Sequence, residues 1–257
     1  MCTKQTIKEE YCYWCGKKAT SKEHVPPKCL FPEPKDIQEL YDKNFRKNLI
    51  TVPSCNEHNM QKSNDDEYLL VCLAGRVGNN GVAYVHNSTK VKRARERNTK
   101  LVDVKDEGFI TIGQKKYPVQ IVQTDNLRLA HSCEAIGRAL YFHEYNKILD
   151  GKCKVISDIF VDFNRQKENN EMTIFLELLK KEQPQWNTSI KGENQDIFSY
   201  QISPIDDLGG GAIYLRFYKY TEVYVVFMEE REKYLQGDEK ERYKKALDTL
   251  KIFVGKK

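Results

Sequence analysis

Cys12 and Cys15 stand two residues apart, and Cys55 and His58 repeat that C-x-x separation about forty residues later. Three thiolates and one imidazole delivered in two such pairs are the ligand set and spacing of a tetrahedral zinc site. Four unrelated core residues have no reason to repeat the separation. Gly16 suits the tight turn of a zinc knuckle after the first pair, and Pro53 and Ser54 lead into the second. Four protein ligands leave no open position on the metal, so this zinc is expected to be structural and unable to activate water itself. Catalysis must then come from other residues. Between the pairs, Ser21-Lys22-Glu23-His24-Val25-Pro26-Pro27 sets a carboxylate beside an imidazole, and Lys47-Asn48-Leu49-Ile50-Thr51-Val52-Pro53-Ser54-Cys55 runs into the second pair.

The order of these elements resembles that of HNH endonucleases of the ββα-metal type. The elements are a C-x2-C, an acidic residue and His with Pro close behind, Asn-Leu, a C-x2-H followed by Asn, and a Lys three residues on. The resemblance covers residues 11–68, roughly a quarter of the chain, and its specificity lies in five weak elements agreeing in order and spacing. It implies that His24, on the first strand, is the general base that deprotonates a water attacking a phosphodiester. An unperturbed pKa near 6.5 leaves an imidazole mostly neutral at pH 7 and suits it to that task. It implies that Glu23 and Asn59 hold a catalytic divalent cation, Mg²⁺ or Mn²⁺, with Mg²⁺ preferred on availability. Asn59 stands at the motif's third letter, and an amide oxygen is an acceptable ligand for hard Mg²⁺. The cation would neutralise charge on the pentavalent phosphate and stabilise the departing oxygen. Asn48 matches the central Asn, which holds the loop between the two strands and keeps His24 aimed. Lys62, three residues after Asn59, would contact a phosphate or stand as a solvated surface lysine. Asp65 and Asp66 extend the resemblance weakly as metal ligands, against the plainer account of acidic charge at a helix N-terminus.

These residues need a scaffold that they cannot supply alone. With 257 residues, 40% hydrophobic and 31% charged, the chain is large enough for one big domain or a small module plus a medium one, without disulfide staples. Eight cysteines are too sparse for a disulfide framework, and Cys29, Cys72, Cys133 and Cys153 read as buried small apolar residues. The expected fold class is α+β: a zinc-stabilised ββα-metal module over 1–75, then an α+β domain with a mainly antiparallel sheet over 76–257. Asp65, Asp66 and Glu67 precede an apolar run and predict a helix capped by Ser63 or Asn64. Gly75 to Gly81 breaks it. Alternation predicts two strands within Phe109–Val122 around a turn near Gly113, and 3.6-residue periodicity predicts a helix over Asn126–Leu149 burying Leu129, Ile136, Leu140 and Tyr141. A strand over Val155–Phe163, a helix over Glu168–Lys181 and a strand over Ile197–Ile202 follow. Gly209–Gly211 then precedes strands Ala212–Tyr218 and Glu222–Met228 and a charged helix over Glu230–Phe253. His86, His131 and His143 have no evident role.

Partners are less determined. The net charge of +5 is compatible with a polyanion without identifying one. Lys90, Lys92, Arg93, Arg95, Arg97 and Lys100 could track a phosphate backbone, or form a solvated linker. No element reads base edges, so sequence specificity is not predicted. The polar N-terminus and the lack of a long apolar stretch lead us to expect a cytoplasmic protein with no membrane association. The leading expectation is an endonuclease acting on DNA, with RNA as the alternative substrate and a protein partner in a defence or mobile-element system as a further expectation. Two rivals stand beside it: a zinc-stabilised module that binds nucleic acid or protein without cutting, and a nuclease subunit gated by a partner. Glu23 beside His24 favours an enzyme, since a binding module has no need of that pair.

Overall fold

The computed structural model describes residues 10–60, 63–160 and 165–252. Its N-terminal part is a hairpin-like ribbon. β1 (Ser21–Val25) pairs antiparallel with β2 (Ile50–Ser54), setting Glu23 opposite Val52 and His24 opposite Thr51. The residues between them cross through a 3-10 turn at Lys28–Leu30 and the short α1 (Pro34–Ile37), burying Leu30, Phe31, Ile37 and Phe45. α2 (Asn56–Met60) follows β2 directly, so the local order is strand, strand, helix. α3 (Ser63–Ala74) comes next and sends Tyr68, Leu69, Leu70 and Leu73 into the core. Ser63 is its first helical position.

α4 (Gly81–His86) does carry a cap, the Asn80 side chain accepting from the Ala83 N–H at 3.1 Å. The basic stretch from Lys90 is no linker. A π-helical turn (Asn87–Val91) runs into α5 (Lys92–Arg97), with Val91 and Ala94 buried. Arg93 pairs with Asp36 at 2.7 Å and Arg97 with Glu67 at 2.8 Å. Part of the positive charge that read as free for phosphate is therefore spent internally, on contacts with α1 and α3. β3 (Asp103–Ile112) and β4 (Lys115–Gln123) form a separate two-stranded hairpin. α6 (Asn126–Tyr145) buries the expected Leu129, Ile136, Leu140 and Tyr141. It stops short of Leu149 because Asn146 turns left-handed at φ +51°, a conformation Asn tolerates and a helix cannot continue through.

The remainder is an antiparallel four-stranded sheet in the order β5-β8-β7-β6, from β5 (Gly151–Ile156), β6 (Phe198–Ile202), β7 (Gly210–Phe217) and β8 (Thr221–Glu229). Alternation on β8 divides its two faces. Val225 lies against Gly137 of α6, where a Cβ would come within 2.8 Å of it, whereas Tyr224 joins Ile156, Tyr214 and Leu176 of α7 (Gln166–Glu182). β5 ends at Ile156, earlier than expected, because a 3-10 turn (Asp158–Phe160) follows and the Ser157 hydroxyl donates to the Glu222 carbonyl at 2.5 Å. The rest of that expected strand, 161–163, lies outside the described residues. α8 (Gly237–Ile252) also starts later than expected, after a 3-10 turn at Glu232–Tyr234. The chain is thus α+β with antiparallel sheets, and no helix among the described residues is long and apolar enough to cross a membrane.

One core cluster gathers side chains from both sides of residue 75, from Tyr13 and Leu30 to Val225 and Phe227. Tyr218, in the β7–β8 turn, reaches furthest: its hydroxyl donates to the Leu30 carbonyl at 2.9 Å. That hydroxyl has one proton, so the fully buried His86, whose Nδ1 lies 3.3 Å away, must donate to the phenol oxygen. Burial, with the nearby Lys90 cation, pulls the His86 pKa down to about 3. His86 therefore stays neutral in the folded protein while the unfolded chain takes up a proton below about pH 6.5, so stability must fall as pH drops through that window. We expect thermal stability to decline measurably from pH 7.5 to pH 5, with a slope of up to about 1.4 kcal/mol per pH unit from this residue. In His86→Phe the decline should be shallower, as read by denaturation at both pH values. An unchanged slope would exclude His86 as its source.

Candidate metal centre and the adjoining cleft

The Cys12–Cys15 turn is shaped by its backbone. The Gly16 N–H donates to the Cys12 carbonyl at 3.0 Å and the Cys12 N–H to the Lys17 carbonyl at 2.8 Å. Gly16 holds φ +71°, which glycine adopts without strain. On the other side, Cys55 directly follows β2, and the His58 and Asn59 amides donate to its carbonyl at 3.2 and 3.0 Å, so the first turn of α2 swings His58 back toward it. The four ligand atoms of Cys12, Cys15, Cys55 and His58 all fall within 4.8 Å of one another. Cys15 Sγ is 3.8 Å from Cys55 Sγ, and His58 Nδ1 is 3.2 Å from Cys55 Sγ and 3.8 Å from Cys12 Sγ. Tetrahedral zinc with bonds of about 2.3 Å to sulfur and about 2.0 Å to nitrogen needs separations of about 3.5–3.8 Å. The cluster could hold a metal such as zinc. Trp14 stacks on the His58 ring, with centroids 5.4 Å apart and planes 18° from parallel, and Arg138 of α6 lies over Trp14 at 5.1 Å. His131, unassigned from the sequence, meets the same indole at 5.3 Å.

β1 leads away from this cluster carrying Glu23 and His24. Successive strand residues face opposite sides. Glu23 is turned inward, where its Oε1 accepts from the Tyr13 hydroxyl at 3.5 Å. Burial and the Glu23 charge together hold the Tyr13 pKa well above its ordinary value, so the phenol remains a donor. His24, next on the strand, is half-buried. Burial first, then the Lys28 and Arg46 cations, lower its pKa from the usual imidazole value. Arg46 is itself held in place, its Nε donating to the Phe31 carbonyl at 2.9 Å. Both Glu23 and His24 border a cleft of about 10 Å³ against α3 and α6, which Asp66, His131 and Ser132 also line.

Among the other expected site residues, Asn59 gives its Nδ2 to the Ser21 hydroxyl at 2.7 Å, and Ser21 shares the Glu23 side of β1. Asn48 is exposed and left-handed at φ +53°, in the turn that enters β2. Lys62 lies outside the described residues. No protein-family model, curated protein or solved structure matches this chain. The site is therefore read from its own geometry.

Asp65 is engaged by Arg128 of α6, whereas Asp66 faces the cleft, so the two neighbouring carboxylates divide between a tertiary contact and the site. Lys28, Arg46 and His131 gave no signal in the sequence because their approach to β1 depends on packing between distant segments. Of the unpaired cysteines, Cys133 is buried as expected, while Cys29, Cys72 and Cys153 are partly buried against the core. Burial pushes Cys29, Cys133 and Cys153 up to about 12, so these are thiols with no nucleophilic character at pH 7.

Elemental analysis of purified protein is expected to find one metal ion per chain at the Cys12, Cys15, Cys55 and His58 cluster. Cys55→Ser and His58→Ala should lose it and melt roughly 10 °C or more below the parent, since binding energy at such sites is folding energy. Cys133→Ser should keep it. Full metal content in Cys55→Ser would show that the ion is held elsewhere.

Proposed function

We propose that this protein is a metal-dependent endonuclease of the HNH kind that hydrolyses phosphodiester bonds in DNA, with the Cys12, Cys15, Cys55 and His58 cluster filled by structural zinc. The observation that carries the reading is the placing of Glu23 and His24 on a strand-strand-helix unit whose two ends meet at that cluster. His24 takes the proton from the attacking water. Glu23 offers a carboxylate and Asn59 an amide oxygen, its nitrogen being given to Ser21. These are hard ligands suited to Mg²⁺ or Mn²⁺, which keep several of their waters and need only one or two protein oxygens. When bound, such a cation supplies charge neutralisation at the phosphate and the departing oxygen. Asn48 holds the loop entering β2, its left-handed backbone fitting the Asn at that position. Arg46 and Lys28, which influence His24, favour an anionic substrate beside it.

The size of the cleft favours a gated form of the same enzyme. About 10 Å³ between β1 and α6 admits roughly one water, so the cleft must widen before a phosphate oxygen reaches Glu23. A partner protein or the substrate itself would supply that change.

Supercoiled plasmid incubated with the protein and Mg²⁺ or Mn²⁺ is expected to be nicked or linearised. His24→Ala with matched zinc content should be slower by about 10²–10⁴-fold, the usual contribution of a general base. Cleavage by both proteins at equal rates would remove His24 from the mechanism, and cleavage by neither would favour the binding module or a partner-dependent subunit.

A further inference from the structure

The β3–β4 hairpin makes its extensive contacts between its own two strands and, among the described residues, has no comparable contact with any other element. Ten residues of strand extend about 30 Å. A two-stranded ribbon is marginal in water on its own, and this one needs a covering surface. Its register sorts the side chains. Cross-strand partners share a face, so Ile112 and Lys115, Ile110 and Tyr117, Gly108 and Val119, and Asp106 and Ile121 lie in successive rows on one side. That side is an apolar stripe with a cation at the tip and a carboxylate near the base, and Ile112 and Ile121 are 61% and 46% exposed on it. The opposite side carries Thr111 with Lys116, Phe109 with Pro118 and Glu107 with Gln120, and Arg95 of α5 reaches it by donating to the Gln120 amide oxygen at 2.5 Å. The Arg95 contact thus lies on the side away from the stripe.

We infer that this apolar face of the β3–β4 hairpin docks against the same face of a second copy of this chain. Its row order is self-complementary under a two-fold axis. Turning one hairpin antiparallel on another brings Lys115 at the tip of one onto Asp106 near the base of the other, twice. It also brings the large Tyr117 row onto the row where Gly108 leaves a gap. An isologous contact requires this matching of a surface with its own reversed image. The bare stripe carries too little charge to attract nucleic acid. One hairpin face is smaller than the roughly 800 Å² per partner of a standard interface, so the dimer is expected to be weak and concentration-dependent. The assignment does not rest on the nuclease reading.

Sedimentation velocity of the full chain over a concentration series is expected to show a monomer–dimer equilibrium. Ile112→Lys and Ile121→Lys change exposed residues, so folding should be kept, and each should weaken association by about tenfold or more. Phe109→Ser, 71% exposed on the opposite side, should leave association unchanged. Lys115→Asp and Asp106→Lys should each weaken the dimer, and the double exchange should restore it. A monomer at every concentration would overturn the inference, as would a dimer insensitive to the two isoleucine changes or one that the double exchange fails to restore.

Discussion

The meeting of Cys12, Cys15, Cys55 and His58 is the constraint on which the N-terminal part depends. Without it, β1 and β2 are a two-stranded ribbon whose connection wanders for more than twenty residues, and such a ribbon has little stability of its own. Binding the turn before β1 to the junction after β2 closes both ends of the ribbon together. The entropic cost of a long excursion between fixed ends grows only slowly with length, so the segment containing α1 can be long without loosening the strands. The same closure sets the start of α2. Asn59 is one helical turn from Cys55, its amide bonded to the Cys55 carbonyl, and so it arrives against Ser21 and the Glu23 side of β1.

The cluster is in turn coupled to the rest of the molecule through aromatic contacts. Trp14, between two of the cysteines, stacks on His58 of the cluster and is covered by Arg138 from α6. α6 also supplies His131 and Ser132 to the cleft beside Glu23. A single helix therefore touches both the candidate metal centre and the site proposed for chemistry. Displacing α6 to widen the cleft would disturb the indole that buttresses His58, which links access to the site with the integrity of the cluster.

The parts legible in the sequence were those encoded by residue type at short range. The repeated C-x-x separation located all four converging residues, and alternation located β6, β7 and β8 to within two residues at each end. The periodic stripe of α6 was also legible, but its end was not, because Asn146 ends the helix by backbone conformation where the apolar pattern continues. For the basic stretch neither a phosphate track nor a solvated linker included the internal ion pairs, because the partners, Asp36 and Glu67, lie far away in sequence. Glu23 and His24 were visible as a pair, yet their environments depend on Tyr13, Arg46 and α6, which no local pattern brings together.

The β7–β8 turn shows how that long-range order is held. Tyr218 and Lys219 both adopt positive φ, +48° and +69°, where tight hairpins ordinarily place Asn or Gly. Such conformations cost on the order of 1 kcal/mol each for residues with a side chain and persist only where the surroundings fix them. Here they do. Lys219 pairs with Asp196 at 2.8 Å, and the fully buried Tyr218 donates to Leu30 in the segment that follows β1. A glycine in place of Tyr218 would relieve the backbone and lose the side chain that carries the turn into the N-terminal core. The strain is thus the local cost of a grip: the turn fixes the sheet against the β1–α1 segment, and α6, packed between Val225 and β1, is held in register with both.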